Sequence, residues 1–111
     1  MKVRDLIDKM GLTLFSGALC LDKDIAGGYV SDLLSDVMGN AAEGQVWITL
    51  QSHKNIMAVA SLKDVAAIIL VKGQAPDADT IAHSNEEQVP ILGTDQEAFE
   101  TAGKLYQLLN S

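Results

Sequence analysis

At 111 residues the chain has the length of one domain, enough to bury a core without disulfide or metal staples. Its composition, 48% hydrophobic, 21% charged and 5% aromatic, excludes a disordered or fibrous chain. The net charge of −7 gathers towards the C-terminus, where residues 76–111 hold seven acidic side chains and one basic one, and no Lys/Arg cluster occurs; this argues against nucleic acid and anionic membrane as partners.

Val3, Leu6, Ile7 and Met10 recur at helical spacing and Gly11 supplies a stop, so residues 2–10 are expected to be helical. Leu12–Phe15 reads as a short strand, followed by Gly17, and Ala18–Leu21 as a second short extended piece. The adjacent Gly27 and Gly28 permit positive φ or a close backbone approach. A loop from Asp24 to Gly28 is therefore expected to run into a helix capped by Ser31, with Asp32 in its first turn. Leu33, Leu34, Val37 and Met38 form that helix's buried stripe, and Gly39 ends it.

In Gln45–Leu50, Val46, Ile48 and Leu50 alternate with Trp47 and Thr49, the period of a strand. Residues 51–55 form a polar elbow, and Ile56–Leu62 a short, largely buried helix. Val65–Val71 is continuously apolar, as a central parallel strand covered on both faces should be, with Lys72-Gly73 as its exit loop. Pro76 suits the first turn of a helix packed through Ile81 and Ala82. Val89–Leu92 reads as a further strand, with Pro90 at its start or at an edge. Thr94–Glu97 has the spacing of a capping box, opening a last helix packed through Ala98, Phe99, Ala102, Leu105, Tyr106 and Leu109.

From residue 45 onward strand and helix alternate, which implies right-handed βαβ crossovers. The expected fold is one α/β domain over residues 1–111, its mainly parallel sheet flanked by helices on both faces. A single cysteine, Cys20, permits no internal disulfide, and residues 1–10 lack the apolar run of a signal peptide. The longest apolar run falls far short of the roughly 20 residues that cross a membrane. A cytoplasmic protein is expected.

Phosphate loops of the G-x-x-x-x-G-K-[ST] and G-x-G-x-x-G kinds are absent, so neither a P-loop kinase nor a dinucleotide-dependent oxidoreductase is supported, and no cofactor is expected. His53 and His83 stand far apart with no second cysteine, and Asp22, Asp24 and Asp32 read better as exposed acids than as a cation site. Cys20 lies among apolar neighbours without a local base, and Ser31 lacks a nucleophile elbow.

Two places stand out as ligand-site candidates. One is the Asp24–Gly28 loop (Asp24, Gly27, Gly28) leading to Ser31, where helix-start amides can hold an anion. The competing reading is a tight turn needing glycine for its geometry alone. The other joins Thr49 to Gln51, Ser52, His53 and Asn55 just past a strand's carboxyl end, where ligands bind in open α/β sheets. Here the competing reading is helix capping by Ser52 or Asn55 beside a solvated Lys54. Lys72-Gly73 and Gly93-Thr94 close the other two strands and are expected to border the same crevice.

Asp24-Ile25-Ala26-Gly27-Gly28 resembles the D-R-T-G-G signature of the DRTGG domain family, with Ile25 and Ala26 in place of Arg and Thr. Residues 29–39, Trp47-Ile48-Thr49 and His53–Ala60 look like the same family. Ile68–Gly73, Pro76 and Val89–Thr94 are also similar to the N-terminal domain of HPr kinase/phosphorylase, whose catalytic P-loop domain has no counterpart here. The resemblance implies an accessory, non-catalytic module: a homodimer that binds a small anionic ligand or nucleotide, or a partner protein. A structural subunit of a redox complex, hydrogenase-related by the same resemblance, is the alternative, and a small enzyme using His53 as general acid or base is a third reading.

Overall fold

The computed structural model describes residues 1–111 as ten elements in chain order. They are α1 (Val3–Met10), β1 (Thr13–Ser16), β2 (Gly27–Val30), α2 (Leu34–Asn40), β3 (Gln45–Thr49), α3 (Asn55–Lys63), β4 (Ala67–Leu70), α4 (Ala78–Glu87), β5 (Ile91–Gly93) and α5 (Ala98–Leu109). They build one five-stranded sheet of order β1-β5-β4-β3-β2. β2, β3, β4 and β5 are parallel, and β1 joins antiparallel to β5.

The uninterrupted apolar run puts β4 in the middle, with Ala67, Ile68, Ile69 and Leu70 all buried, as a strand covered on both faces requires. Alternation along β3 divides the core in two. Trp47 packs with Val37, Ile56, Met57, Ile68 and Leu70 beneath α2 and α3. Val46 and Ile48 pack with Val3, Leu6, Ile69, Leu92 and Leu105 beneath α1 and α5. α4 lies beside α3 and against β1. Helices α2, α3 and α4 thus cover one face, and α1 and α5 the other.

Several local expectations are corrected. Ala18–Leu21 is a turn rather than a strand: Gly17 takes φ +81° and the Cys20 amide donates to its carbonyl at 3.0 Å. A Cβ on Gly17 would lie 2.5 Å from Pro90 Cα, so only glycine fits there. Gly27 and Gly28 begin an edge strand instead of a loop, with Gly27 paired to Gln45 and Gly28 to Val46. Gly28 serves close approach, since a Cβ there would meet Leu105 Cδ2 at 2.8 Å.

α2 starts at Leu34 and runs through Gly39 to Asn40; Ser31 does not cap it but turns the chain locally, its hydroxyl accepting from the Leu33 amide. Pro76 precedes α4, whose cap is Asp77 accepting from the Thr80 amide. The buried side of α4 is Thr80 and Ser84, while Ile81 is half-buried and Ala82 exposed. Thr94 forms no capping box, because its amide donates to Leu70 and its hydroxyl accepts from Gln96, which leaves Glu97 as the cap of α5. Phe99 and Tyr106 are 85% and 70% exposed; α5 packs through Thr101 and Leu105, with Ala98, Ala102, Leu108 and Leu109 at the margins.

Candidate functional site

Because β2 to β5 are parallel, their carboxyl ends share one edge of the sheet, and most of the expected site residues stand there. Asp32, just past β2, fastens the ends of β2 and β3 together. Its Oδ1 accepts from Thr49 Oγ1 at 2.9 Å and from the Leu50 amide at 2.7 Å, while Gln51 Nε2 donates to its carbonyl at 3.1 Å. Trp47 Nε1 donates to the Ser31 carbonyl at 2.9 Å, which ties the buried indole to the same corner. Thr49 is buried, and its hydroxyl also accepts from the Gln51 amide. Ser31, Thr49 and Gln51 are therefore brought together, and Asp32 is the residue that organises them. In the sequence Asp32 reads as a first-turn acid or as an exposed acid beside Asp22 and Asp24, because the pairing of β2 with β3 is not visible there.

His53 Nδ1 accepts from the Asn55 amide at 3.2 Å, so the imidazole caps the start of α3 in place of Ser52 or Asn55. Asp77, which caps α4, is exposed, and its carboxyl is held below the usual carboxylate range by the Thr80 amide and hydroxyl, with His53 and Lys54 adding a smaller attraction. The elbow after β3 thus lies close to the start of α4. Asn55 and Lys54 open onto a groove between α3 and α4 that is also lined by His83 and Glu87.

The other end of the sheet holds Asp24. It forms an ion pair with Lys2 at 2.9 Å, as Asp22 does with Arg4 at 2.7 Å, and neither meets Asp32. The Asp24–Gly28 segment therefore does not share the edge occupied by Ser31 and Thr49. Gly27 and Gly28 instead border an apolar groove with Val30, Ile48, Leu105 and Tyr106. Burial pushes the Cys20 thiol above its ordinary value, against a weaker pull from Lys23, so a reactive thiolate is not favoured there.

The most telling place on the polar edge lies between β4 and β5. After β4 the chain turns to α4 on one face; after β5 it turns to α5 on the other. Adjacent parallel strands whose connections part in this way open a crevice at their carboxyl ends, the usual ligand position in open α/β sheets. A hollow of about 300 Å³ occupies that point, lined by Met10, Gly11, Thr13, Phe15, Gly73, Gln74, Gly93, Thr94, Asp95 and Gln96. Lys72 and Gly73 both adopt left-handed backbone at its rim, with φ +58° and +71°. Of the expected residues, Gly73, Gly93 and Thr94 line it; the rest of its lining follows from strand order, which no sequence pattern discloses.

The sequence profile of the DRTGG domain matches residues 30–108, beginning two residues after Gly28, so the Asp24–Gly28 pentapeptide lies outside the matched span. Among solved structures, the chain is similar to the CBS and DRTGG domains of the regulatory region of Clostridium perfringens pyrophosphatase, complexed with its activator diadenosine tetraphosphate. The TM-score is 0.69 at 16% identity, over 93% of this chain and 44% of that one. At this identity the likeness is one of fold, and the chain spans less than half the length of that structure. No match was found among the curated proteins.

Proposed function

The chain belongs to the DRTGG domain family, and from that premise we propose that it is a non-catalytic regulatory module, 1–111 forming one DRTGG-like unit, that binds a small anionic ligand of nucleotide or phosphate type. The ligand would lie along the carboxyl edge of the sheet, bordered by Ser31, Thr49, Gln51, Ser52, His53, Asn55, Lys72 and Gly73. The observation that carries this reading is the crevice at the parting of β4 and β5, lined by Gln74 after β4 and by Thr94, Asp95 and Gln96 after β5. Its neighbour by fold, a regulatory region complexed with a nucleotide activator, supports the ligand class. The third reading, catalysis by His53, finds no hydrogen-bonded carboxylate or hydroxyl beside the imidazole, whose Nδ1 is engaged by a backbone amide. The sequence likeness of residues 68–73 and 89–94 supports kinship with the HPr kinase/phosphorylase N-terminal domain. We further place the module in the cytoplasm, as its unpaired Cys20 suits; no helix is long and apolar enough to cross a membrane.

A thermal-shift series with adenine nucleotides, sugar phosphates, acetyl phosphate and inorganic phosphate tests the proposal, on wild type and on His53→Ala and Lys72→Ala. A ligand at a hundred times its dissociation constant adds about 2.7 kcal/mol, a rise of roughly 10 °C in a domain of this size. A rise reduced by either variant supports the reading. No rise with any compound removes it.

The second reading, a structural interaction subunit, draws on a different surface. Trp47 is fully buried and Tyr29 half-buried, but Tyr106 and Val30 are exposed at the groove beside the open edge of β2, and Phe99 is exposed on α5. The same surface would serve the homodimer proposed with the first reading, or a partner protein.

A further inference from the structure

We infer that the hollow over β4 and β5 is a nucleoside subsite: it takes the aromatic base and the vicinal hydroxyls of a ligand, while any phosphate stays outside. The inference rests on the ligand-binding reading above and deepens it. At about 300 Å³ the hollow stands at the lower end of ligand pockets, which run roughly 300–1,000 Å³.

Its chemistry disfavours a phosphate inside. The local backbone amides are already engaged: Lys72 N donates to Gln96 O at 2.8 Å, Gly73 N to Thr94 O at 2.9 Å, Gln74 N to Val71 O at 3.2 Å, and Thr94 N to Leu70 O at 3.0 Å. No anion-cradling row of free N–H groups is left among them. The lining holds no cation, and its one charge is the Asp95 carboxylate. The occupant must therefore be uncharged there and rich in donors.

The same lining suits a nucleoside. A carboxylate beside the end of a parallel strand accepts well from the vicinal hydroxyls of a ribose. Gln74, Gln96 and Thr13 carry both donors and acceptors able to read the edge of a base. Phe15 supplies a half-buried ring that covers Gly93 so closely that a Cβ there would lie 2.3 Å from Phe15 Cε2. Bases stack on aromatic side chains irrespective of sequence. Lys72, next to the lining residue Gly73, is a cation for a phosphate that points out of the hollow.

The test is a set of amide-resolved NMR titrations of the full chain with adenosine, guanosine, cytidine, uridine, free ribose and inorganic phosphate, together with the nucleotides. Saturable shifts at Gly11, Gly73, Gly93 and Thr94 with at least one nucleoside, absent with phosphate alone, are expected. Asp95→Asn, which keeps the shape and removes the charge, should weaken that binding by about tenfold or more, with the unbound spectrum otherwise preserved. Shifts equally large with free ribose would overturn the assignment of a base. A nucleotide whose shifts are confined to Ser31, Gln51 and His53 would overturn the subsite while sparing the proposed function. Silence from every compound would remove both.

Discussion

Asp32→Ala is the perturbation that most directly tests how the strand ends are held. The carboxylate receives two hydrogen bonds on one oxygen, from the buried Thr49 hydroxyl at 2.9 Å and the Leu50 amide at 2.7 Å. A hydrogen bond to a charged group contributes about 1.5–3 kcal/mol. Asp32 is exposed and water can replace it at the Leu50 amide, so the two together are expected to be worth about 2 kcal/mol. At an unfolding entropy near 2.1 cal/mol/K per residue, the melting midpoint should fall by about 8 °C. Thr49→Val removes the other end of the same bond. Urea unfolding of wild type, both single variants and the double variant should return a coupling of about 1 kcal/mol. A midpoint lowered by less than about 2 °C, with no coupling to Thr49, would refute the argument that Asp32 joins β2 to β3.

Three further outcomes are expected. Gly93→Ala should destabilise the fold by about 2–3 kcal/mol through overpacking against the Phe15 ring, and Phe15→Leu in the same chain should recover part of the loss, as chemical denaturation would measure. The lowered carboxyl of Asp77 contributes stability that is present above the unfolded value of about 3.9 and lost as pH falls through the folded value. The difference in melting point between wild type and Asp77→Asn should accordingly be full at neutral pH and close on acidification through that window. Phe99→Ser with Tyr106→Ser should change monomer stability by less than about 0.5 kcal/mol, both rings being exposed; if this surface joins two copies, sedimentation should show the pair dissociate.

The apolar runs were legible in the sequence because burial on both faces leaves no other composition: Val65–Val71 marked the middle of the sheet, and the period of residues 46–50 divided the two cores. β2 was missed for the converse reason. As an edge strand it alternates half-buried with exposed residues, and its first two are glycines, so neither hydrophobic period nor β-propensity registers. On α5 the spacing identified Leu105 and Ala102, but period alone does not fix the width of the buried stripe. Phe99 and Tyr106 fall just outside it. The polar edge was half legible. Thr49, Gln51 and His53 follow a strand, which pattern can show. That β4 and β5 send their chains to opposite faces depends on where α5 docks, and this is a property of the assembled sheet.

The helix between β4 and β5 is fastened in an unusual way. Its fully buried side chains are Thr80 and Ser84; Ser16 Oγ donates to Ser84 Oγ at 2.7 Å, Ser84 Oγ donates in turn to the Val89 carbonyl, and Asn85 Oδ1 accepts from the Gly17 amide. Hydroxyl contacts are directional, so the helix has one seat, yet they surrender little free energy when water takes their place. α4 should therefore lift away as a cooperative unit well before the sheet opens, and its amides should exchange with solvent deuterium faster than those of β3 and β4. The connection that lifts with it begins at Lys72-Gly73-Gln74, the rim of the hollow. An occupant that pins this rim would slow exchange along α4, making one helix's fluctuation the readout of whether the domain is filled.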